Sequence, residues 1–195
     1  MTKKILAWHL IPKDRRLEHG DDRIVRARRT MRVEGPPSLC NHGLHASEKL
    51  LDALGYHPGP IICRVKVGGA VVRGDDKLAA TERRCLWWVD GERIMHEFAV
   101  WCARRALKTA NVTDQRCWEA LRVKLHWLKG KATDEELAAA RDAAGAAAWD
   151  AARDAAWDAA GAAAWDAARA AAGAAAGAAE RQWQTARLME YLYQA

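Results

Sequence analysis

From Arg141 to Arg181 every fourth residue is Arg, Gly or Trp, and apart from Glu180 everything between is Ala or Asp. Alanine has the strongest intrinsic helix propensity, and Asp150 with Arg153 and Asp166 with Arg169 form favourable i,i+3 pairs, so the segment is helical. Its period limits what that helix packs against. Four residues turn an ideal helix by about 400°, so the stripe drifts by about 40° per repeat. Trp149, Trp157 and Trp165 therefore cannot all face one flat partner on a straight helix. They lie on a spiral packed by several neighbours, or the helix breaks or supercoils right-handedly. Unbroken, residues 134–193 would span about 90 Å, which favours a fold at a glycine or burial in an oligomer. Two readings stay open: a repeat-expanded spacer whose tryptophans pack on its own body, or a helix for homo-oligomerisation, through Trp149, Trp157 and Trp165, or for binding a partner.

Charge separates this tail from what precedes it. Residues 1–133 hold 26 Lys and Arg against 15 Asp and Glu, whereas residues 134–195 hold 5 against 10. Opposed charge invites the tail to fold back on the body or onto a second copy, and leaves spare basic surface for phosphate or acidic proteins. The tail's negative charge speaks against its binding nucleic acid itself.

In the body, KILAWHLI (residues 4–11) reads as a strand and KDRRLEHGDD as a polar turn region. RIVRARRTMRV (23–33) interleaves arginines with apolar residues, so Arg26, Arg28 and Arg32 share one positive face if it is a strand. After Gly35-Pro36-Pro37, SLCNHGLHASEKLLDALGY reads as a short strand into a helix, with Ser47 as N-cap and Leu50, Leu51 and Leu54 facing inward. PIICRVKVGGAVV and CLWWVDGE have strand patterning, the first with a Gly-Gly bend. From Glu92 the period becomes helical: Ile94, Phe98, Trp101 and Leu107 in one stretch, Cys117, Leu121, Leu125 and Leu128 in the next, ending at Gly130. Thr133 to Glu136 is a capping box that starts the tail helix. The expected architecture is α+β: a small mixed β-sheet domain (1–90), a covering helical hairpin (91–131) and a long Ala-rich helical tail (132–195).

The five cysteines are an odd number without a CxxC pair, which argues against a disulfide framework or structural zinc and for reduced cytoplasmic thiols. No metal site is expected; Cys40, His42 and His45 have the right ligand types but no distant fourth partner. The N-terminal apolar run is too short for a signal peptide or a span, and charges interrupt the tail, so no membrane partner is expected. Ser-His-Asp, HExxH, P-loop and GxGxxG patterns are absent.

HGLHASEKLLDALGY followed by PIICRVKVG resembles the central motif of the ADP-ribosyltransferase fold in its poly-ADP-ribose polymerase-like branch. The matching residues are Gly43, Leu44, His45, Ala46, Tyr56 and the strand from Ile61 to Gly68, and AWHL puts His9 in the place of a first-strand histidine. The resemblance implies NAD as cofactor, with His9 gripping the nicotinamide ribose, His45 stacking on nicotinamide, and Gly43 and Tyr56 shaping the cofactor site. It also shows departures: Leu10 replaces the glycine after the histidine, Ala53 replaces the helix serine, and only Glu82, Glu92 and Glu97 remain as acid candidates. Over nearly its full length the chain also resembles an uncharacterised family of phage and prophage proteins sharing LCNHGLHAS, GDDKLAATERRCLWWVD, HEFAVWCARRAL and KGKATDEELAAA. That resemblance implies a mobile-element setting and an accessory, anti-defence role.

Three functional classes follow. In the first, a binding or interference protein engages nucleic acid or a host protein through Arg26, Arg28, Arg29 and Arg32 and self-associates through its tail. In the second, His9 and His45 shape the pocket of an ADP-ribosyltransferase-like enzyme. The third is a virion or scaffold component.

Overall fold

The alternating pattern of residues 4–11 produces β1 (Ile5–Ile11), which presents Ala7 and Ile11 to the core on one face and the buried Trp8 and Leu10 on the other. The computed structural model describes residues 4–18, 21–56, 58–159 and 166–194, and divides into two units, 1–95 with 185–195, and 96–184.

In the first unit, β2 (Thr30–Arg32) and β3 (Leu44–Ala46) precede a single short helix, α1 (Leu50–Leu54), and a long hairpin of β4 (Ile61–Arg73) and β5 (Leu78–Asp90). The strand order is β1-β4-β5-β2, with β3 paired to β5 as well. Every pairing is antiparallel, which narrows the mixed sheet expected from sequence. The hairpin closes through Gly74 N–H donating to the Lys77 carbonyl at 2.8 Å. Its register shifts twice, between Arg64 and Val65 and between Gly68 and Val71. The second shift is the Gly-Gly bend: Gly69 has φ +73°, and a Cβ there would lie 2.1 Å from Thr81 Oγ1, so the strand bends there without ending.

Two local expectations are corrected. Residues 23–33 are not one strand: only Thr30–Arg32 joins the sheet, because Arg28 takes φ +63° and donates its N–H to the Cys85 carbonyl. The alternation that would have aligned Arg26, Arg28 and Arg32 is broken there. Ser47 does not cap α1; its N–H and carbonyl both pair with Trp8, and Lys49 precedes the helix without a side-chain cap. Of the residues expected to face inward, Leu50 is buried and Leu51 and Leu54 are half-buried, while Ala53 is buried in addition.

The helical periods become α2 (Glu92–Thr109), α3 (Gln115–Trp127), α4 (Asp134–Ala159) and α5 (Asp166–Gln194). Within the second unit α3 packs on α4. Asp114 caps α3 by accepting from Arg116 N–H at 2.9 Å, and Gly130 ends the following turn at φ +65°. The capping box is realised in both directions: Thr133 N–H donates to Glu136 Oε2 at 2.8 Å and Glu136 N–H to Thr133 Oγ1 at 3.1 Å. The Ala-rich repeat is helical on both sides of residues 160–165. Trp165 and the side chains of Trp149 and Trp157 lie outside the described residues. The last turns of α5 belong to the first unit, where Leu188 and Leu192 are buried.

Candidate functional site

Directly paired residues on neighbouring strands project from the same face of a sheet. One such row in the first unit reads Ile5, Val67, Arg83, Met31 across β1, β4, β5 and β2. Its other three members belong to or pack against the hydrophobic core, so the strand alternation drives a guanidinium into an apolar layer. Arg83 is only 3% exposed. Its Nη1 donates to the His45 carbonyl at 2.5 Å, and among the described residues it forms no ion pair. Besides the Cys63 and Cys85 thiols, the acid acting on it is Asp21, whose carboxylate is held instead by a two-pronged contact with Arg23 at 2.8 and 2.6 Å. Burial lowers the Arg83 pKa to about 10, so the group stays charged at neutral pH.

His9, on the same sheet face, pairs in register with Cys63. Its Nε2 is out of contact with solvent and has no hydrogen-bond partner among the described residues. Burial pushes its pKa well below the ordinary histidine value, and the nearby Arg83 and His45 push the same way, so the ring is neutral.

Both groups line a cavity of about 680 Å³. Its lining combines the buried Trp8, Leu10 and Ala46 with the exposed Arg16, Glu18 and Tyr56. The volume lies within the range of small-molecule sites, as does the mixture of apolar lining with a few convergent polar groups. Gly43 makes the turn that brings β3 over the site. It sits at φ +117°, and a Cβ there would lie 3.2 Å from Pro37 Cβ and 3.3 Å from the Ala80 carbonyl.

All four residues singled out by the enzyme resemblance, His9, Gly43, His45 and Tyr56, line this cavity. Their engagements differ. His45 Nε2 accepts from Cys40 N–H at 3.2 Å, so the ring braces the tight turn in which Cys40 takes φ +62°. Burial also lowers the His45 pKa. Tyr56 is half exposed, donates to Asp76 Oδ2 at 2.5 Å and lies under the Lys77 ammonium at 4.3 Å. Neither of the described first-unit acid candidates reaches the site: Glu82 is held by Arg32 at 2.8 Å and Glu92 by Lys13 at 2.6 Å. Glu97 belongs to the second unit. The acids that do line the cavity are Glu18 and Asp21.

The arginine cluster lies apart from the cavity lining. Arg26, Arg28 and Arg29 are exposed on the irregular segment before β2, and Arg32 is paired with Glu82. The sequence reading missed Arg83. The available signal was its place in TERRCLWW, two residues before the buried Cys85 and therefore on the inward face, where a charge is costly without a partner. Among the described residues no cluster of three or more His, Cys, Asp or Glu is arranged to hold a metal, and all five cysteines are free thiols.

Fold and cavity together define an α+β protein whose antiparallel-sheet unit encloses a partly polar pocket. Residues 24–97 match the model of a family described as a domain of unknown function, DUF7666. The match takes in Gly43, His45, Tyr56 and Arg83 and begins after His9. No curated protein and no solved structure matches the chain. Among the described residues no helix is long and apolar enough to cross a membrane.

Proposed function

We propose that the sheet unit is a binding module for a small anionic ligand, a phosphate- or carboxylate-bearing molecule held at Arg83, and that the protein acts by capture and not by turnover. The observation that carries this is a charged guanidinium, almost fully buried, without a carboxylate partner among the described residues, on the wall of a cavity. A buried charge left uncompensated is expensive, and functional sites are where such cost is retained. A ligand oxyanion would take the guanidinium donors that His45 leaves free, while neutral His9 offers Nε2 as acceptor or, after a tautomer shift, as donor. The resemblance to phage and prophage proteins supports an accessory setting, in which such capture interferes with a host process.

The test is thermal denaturation with phosphate, sulfate, nucleoside monophosphates and diphosphates, and NAD, on the full chain and on Arg83→Met. A bound anion at a hundred times its Kd stabilises by about 2.7 kcal/mol. We expect at least one anion to stabilise the full chain and none to stabilise the variant. Arg83→Met itself should be no less stable than the parent. Burial holds the pKa near 10, below the ordinary arginine value, an unfavourable contribution of about 3 kcal/mol at neutral pH, against about 1–3 kcal/mol for leaving the His45 carbonyl without its donor. A variant losing much more stability than that would make Arg83 a structural tie and overturn the reading.

A second reading, NAD-dependent ADP-ribosyl transfer, is favoured by one observation: His9, Gly43, His45 and Tyr56 surround a single cavity. Against it stand the engagement of the His45 ring with Cys40 and the commitment of Asp21 to Arg23. Labelled NAD in a host lysate separates the two, since transfer of label supports the enzyme and binding without transfer supports capture. Self-association through the tail is a separate proposal. It predicts that replacing Trp149, Trp157 and Trp165 together with alanine lowers the mass in solution, and an unchanged mass sinks it.

A further inference from the structure

The face of the sheet that points away from Arg83 carries a second, different surface. Its rows follow from the register: Leu6, Lys66, Arg84, Thr30 in one, Gly68, Glu82, Arg32 in the next, and Trp8, Arg64, Trp87 in the third. Lys4 joins the second row, since a Cβ on Gly68 would meet its Cγ at 3.7 Å. Five cations, Lys4, Arg32, Arg64, Lys66 and Arg84, thus share a face with one acid, Glu82, which Arg32 already engages.

The face divides along its length. Trp8 and Leu10 are buried at one end, whereas at the other Leu6 is 49% exposed and Arg84, Thr30 and Arg32 are exposed. Trp87 stands at the boundary, 37% exposed, edge-on to Trp8 at 5.7 Å. The Arg64 guanidinium lies over the Trp8 ring at 4.3 Å, and burial lowers its pKa. Among the described residues Lys66 and Arg84 form no ion pair, so both charges are available to a partner.

We propose that this face binds single-stranded nucleic acid, with Lys66, Arg84 and Lys4 on the phosphates and Trp87 stacking on a base. Charge complementarity selects a polyanion, and the exposed aromatic selects one with flat π-faces over an acidic polypeptide. An open antiparallel sheet offers no helix to enter a major groove, whereas sheets bearing aromatic and basic side chains suit splayed single strands. Of the arginines expected from sequence to bind nucleic acid, Arg32 belongs to this face, while Arg26, Arg28 and Arg29 are exposed on the irregular segment before β2. Lys4, Lys66, Arg84 and Trp87 are not among the residues that line the cavity, although Trp8, in the third row, lines it as well.

The experiment is fluorescence anisotropy of the full chain with labelled single-stranded DNA and RNA of mixed sequence, the matching duplex, and poly-glutamate, over a series of salt concentrations. We expect single strands to bind more tightly than duplex or poly-glutamate. Each phosphate contact on a single strand contributes about 0.7 to the slope of log affinity against log salt. Lys66→Gln with Arg84→Gln should therefore flatten the slope by about 1.4, and Trp87→Ala should weaken binding about tenfold by removing one stacked base. Arg83→Met should leave the affinity unchanged, which keeps this surface distinct from the cavity. Absence of binding, a salt-independent affinity, equal binding of poly-glutamate, or indifference to the double substitution would overturn the proposal.

Discussion

At the scale of single residues, the first unit concentrates its unusual chemistry in two side chains that strand alternation forces inward, His9 and Arg83. For His9 this has a consequence for pH. The folded state holds the ring neutral far below the pH at which the unfolded chain protonates it, near 6.5. Below that pH the unfolded chain therefore binds more protons, and stability falls as acidity rises toward the folded pKa. His45, also lowered, contributes in the same direction. Each such group contributes at most about 1.4 kcal/mol per pH unit in that window. The perturbed carboxylates do not interfere, because the Asp21, Asp114, Glu119 and Glu135 pKa values are lowered further below the carboxylate range. Urea midpoints at pH 7.5, 6.5 and 5.5 should decline for the full chain and decline less for His9→Gln. Equal slopes for the two would mean that His9 is protonated in the fold, contrary to its buried and unpartnered Nε2. An anion at Arg83 would also offset the guanidinium charge that helps keep His9 neutral, so binding of such a ligand would raise the His9 pKa.

At the scale of elements, the cavity depends on one turn. Gly43 carries β3 into its pairing with β5, which places the His45 carbonyl on Arg83 and the His45 ring on Cys40 N–H. Gly43→Ala must hold φ at +117° with a side chain and press a methyl group toward Pro37 and the Ala80 carbonyl. A strained backbone position of this kind costs about 1–3 kcal/mol. Chemical denaturation should show that loss, together with weakened anion binding, and a neutral substitution would mean that the turn adapts without strain. The same segment shows what the sequence disclosed. Its composition exposed a turn followed by a strand and helix, and the periods of β1, β4, β5 and the four longer helices were readable because hydrophobic alternation and i,i+4 spacing are local properties. The capping box at Thr133 was readable for the same reason. What stayed hidden depends on partners distant in sequence. Arg28 turns to φ +63° to meet Cys85, which interrupts an apparently strand-like run, and Ser47 pairs with Trp8 when a local rule made it a helix cap. Arg83 looked like one more surface arginine because nothing local says that its row is completed by Ile5, Val67 and Met31. The four residues named by resemblance did converge on one cavity, yet the group whose electrostatics define it was not among them.

At the scale of the whole chain, the division into body and tail is redrawn by where the tail ends. The Ala-rich repeat changes composition before the chain finishes, and the final segment, TARLMEYLYQ, restores large apolar side chains at helical spacing. Leu188 is fully buried and Leu192 is 7% exposed, in the unit that contains the sheet. Tyr193 lies near enough to Arg64 to favour its charged form. The sheet unit is therefore assembled from both ends of the sequence, and its stability is tied to residues about a hundred positions beyond its last strand. A leucine at a site like that of Leu188 costs about 2–5 kcal/mol when cut to alanine, because transfer and cavity costs add. Leu188→Ala should lower the denaturation midpoint and expose the sheet unit to proteolysis. Met189→Ala, at a half-buried neighbouring position, should cost less. If the repeat is only a spacer, shortening it by whole four-residue units between Arg169 and Gly177 should leave that midpoint in place for as long as the remaining helix lets residues 185–194 reach their site. Ending the chain at residue 184 should instead reproduce or exceed the loss seen with Leu188→Ala. A truncated chain as stable as the parent would show that the last turns of α5 are not part of the sheet unit, and the burial of Leu188 would then need another explanation.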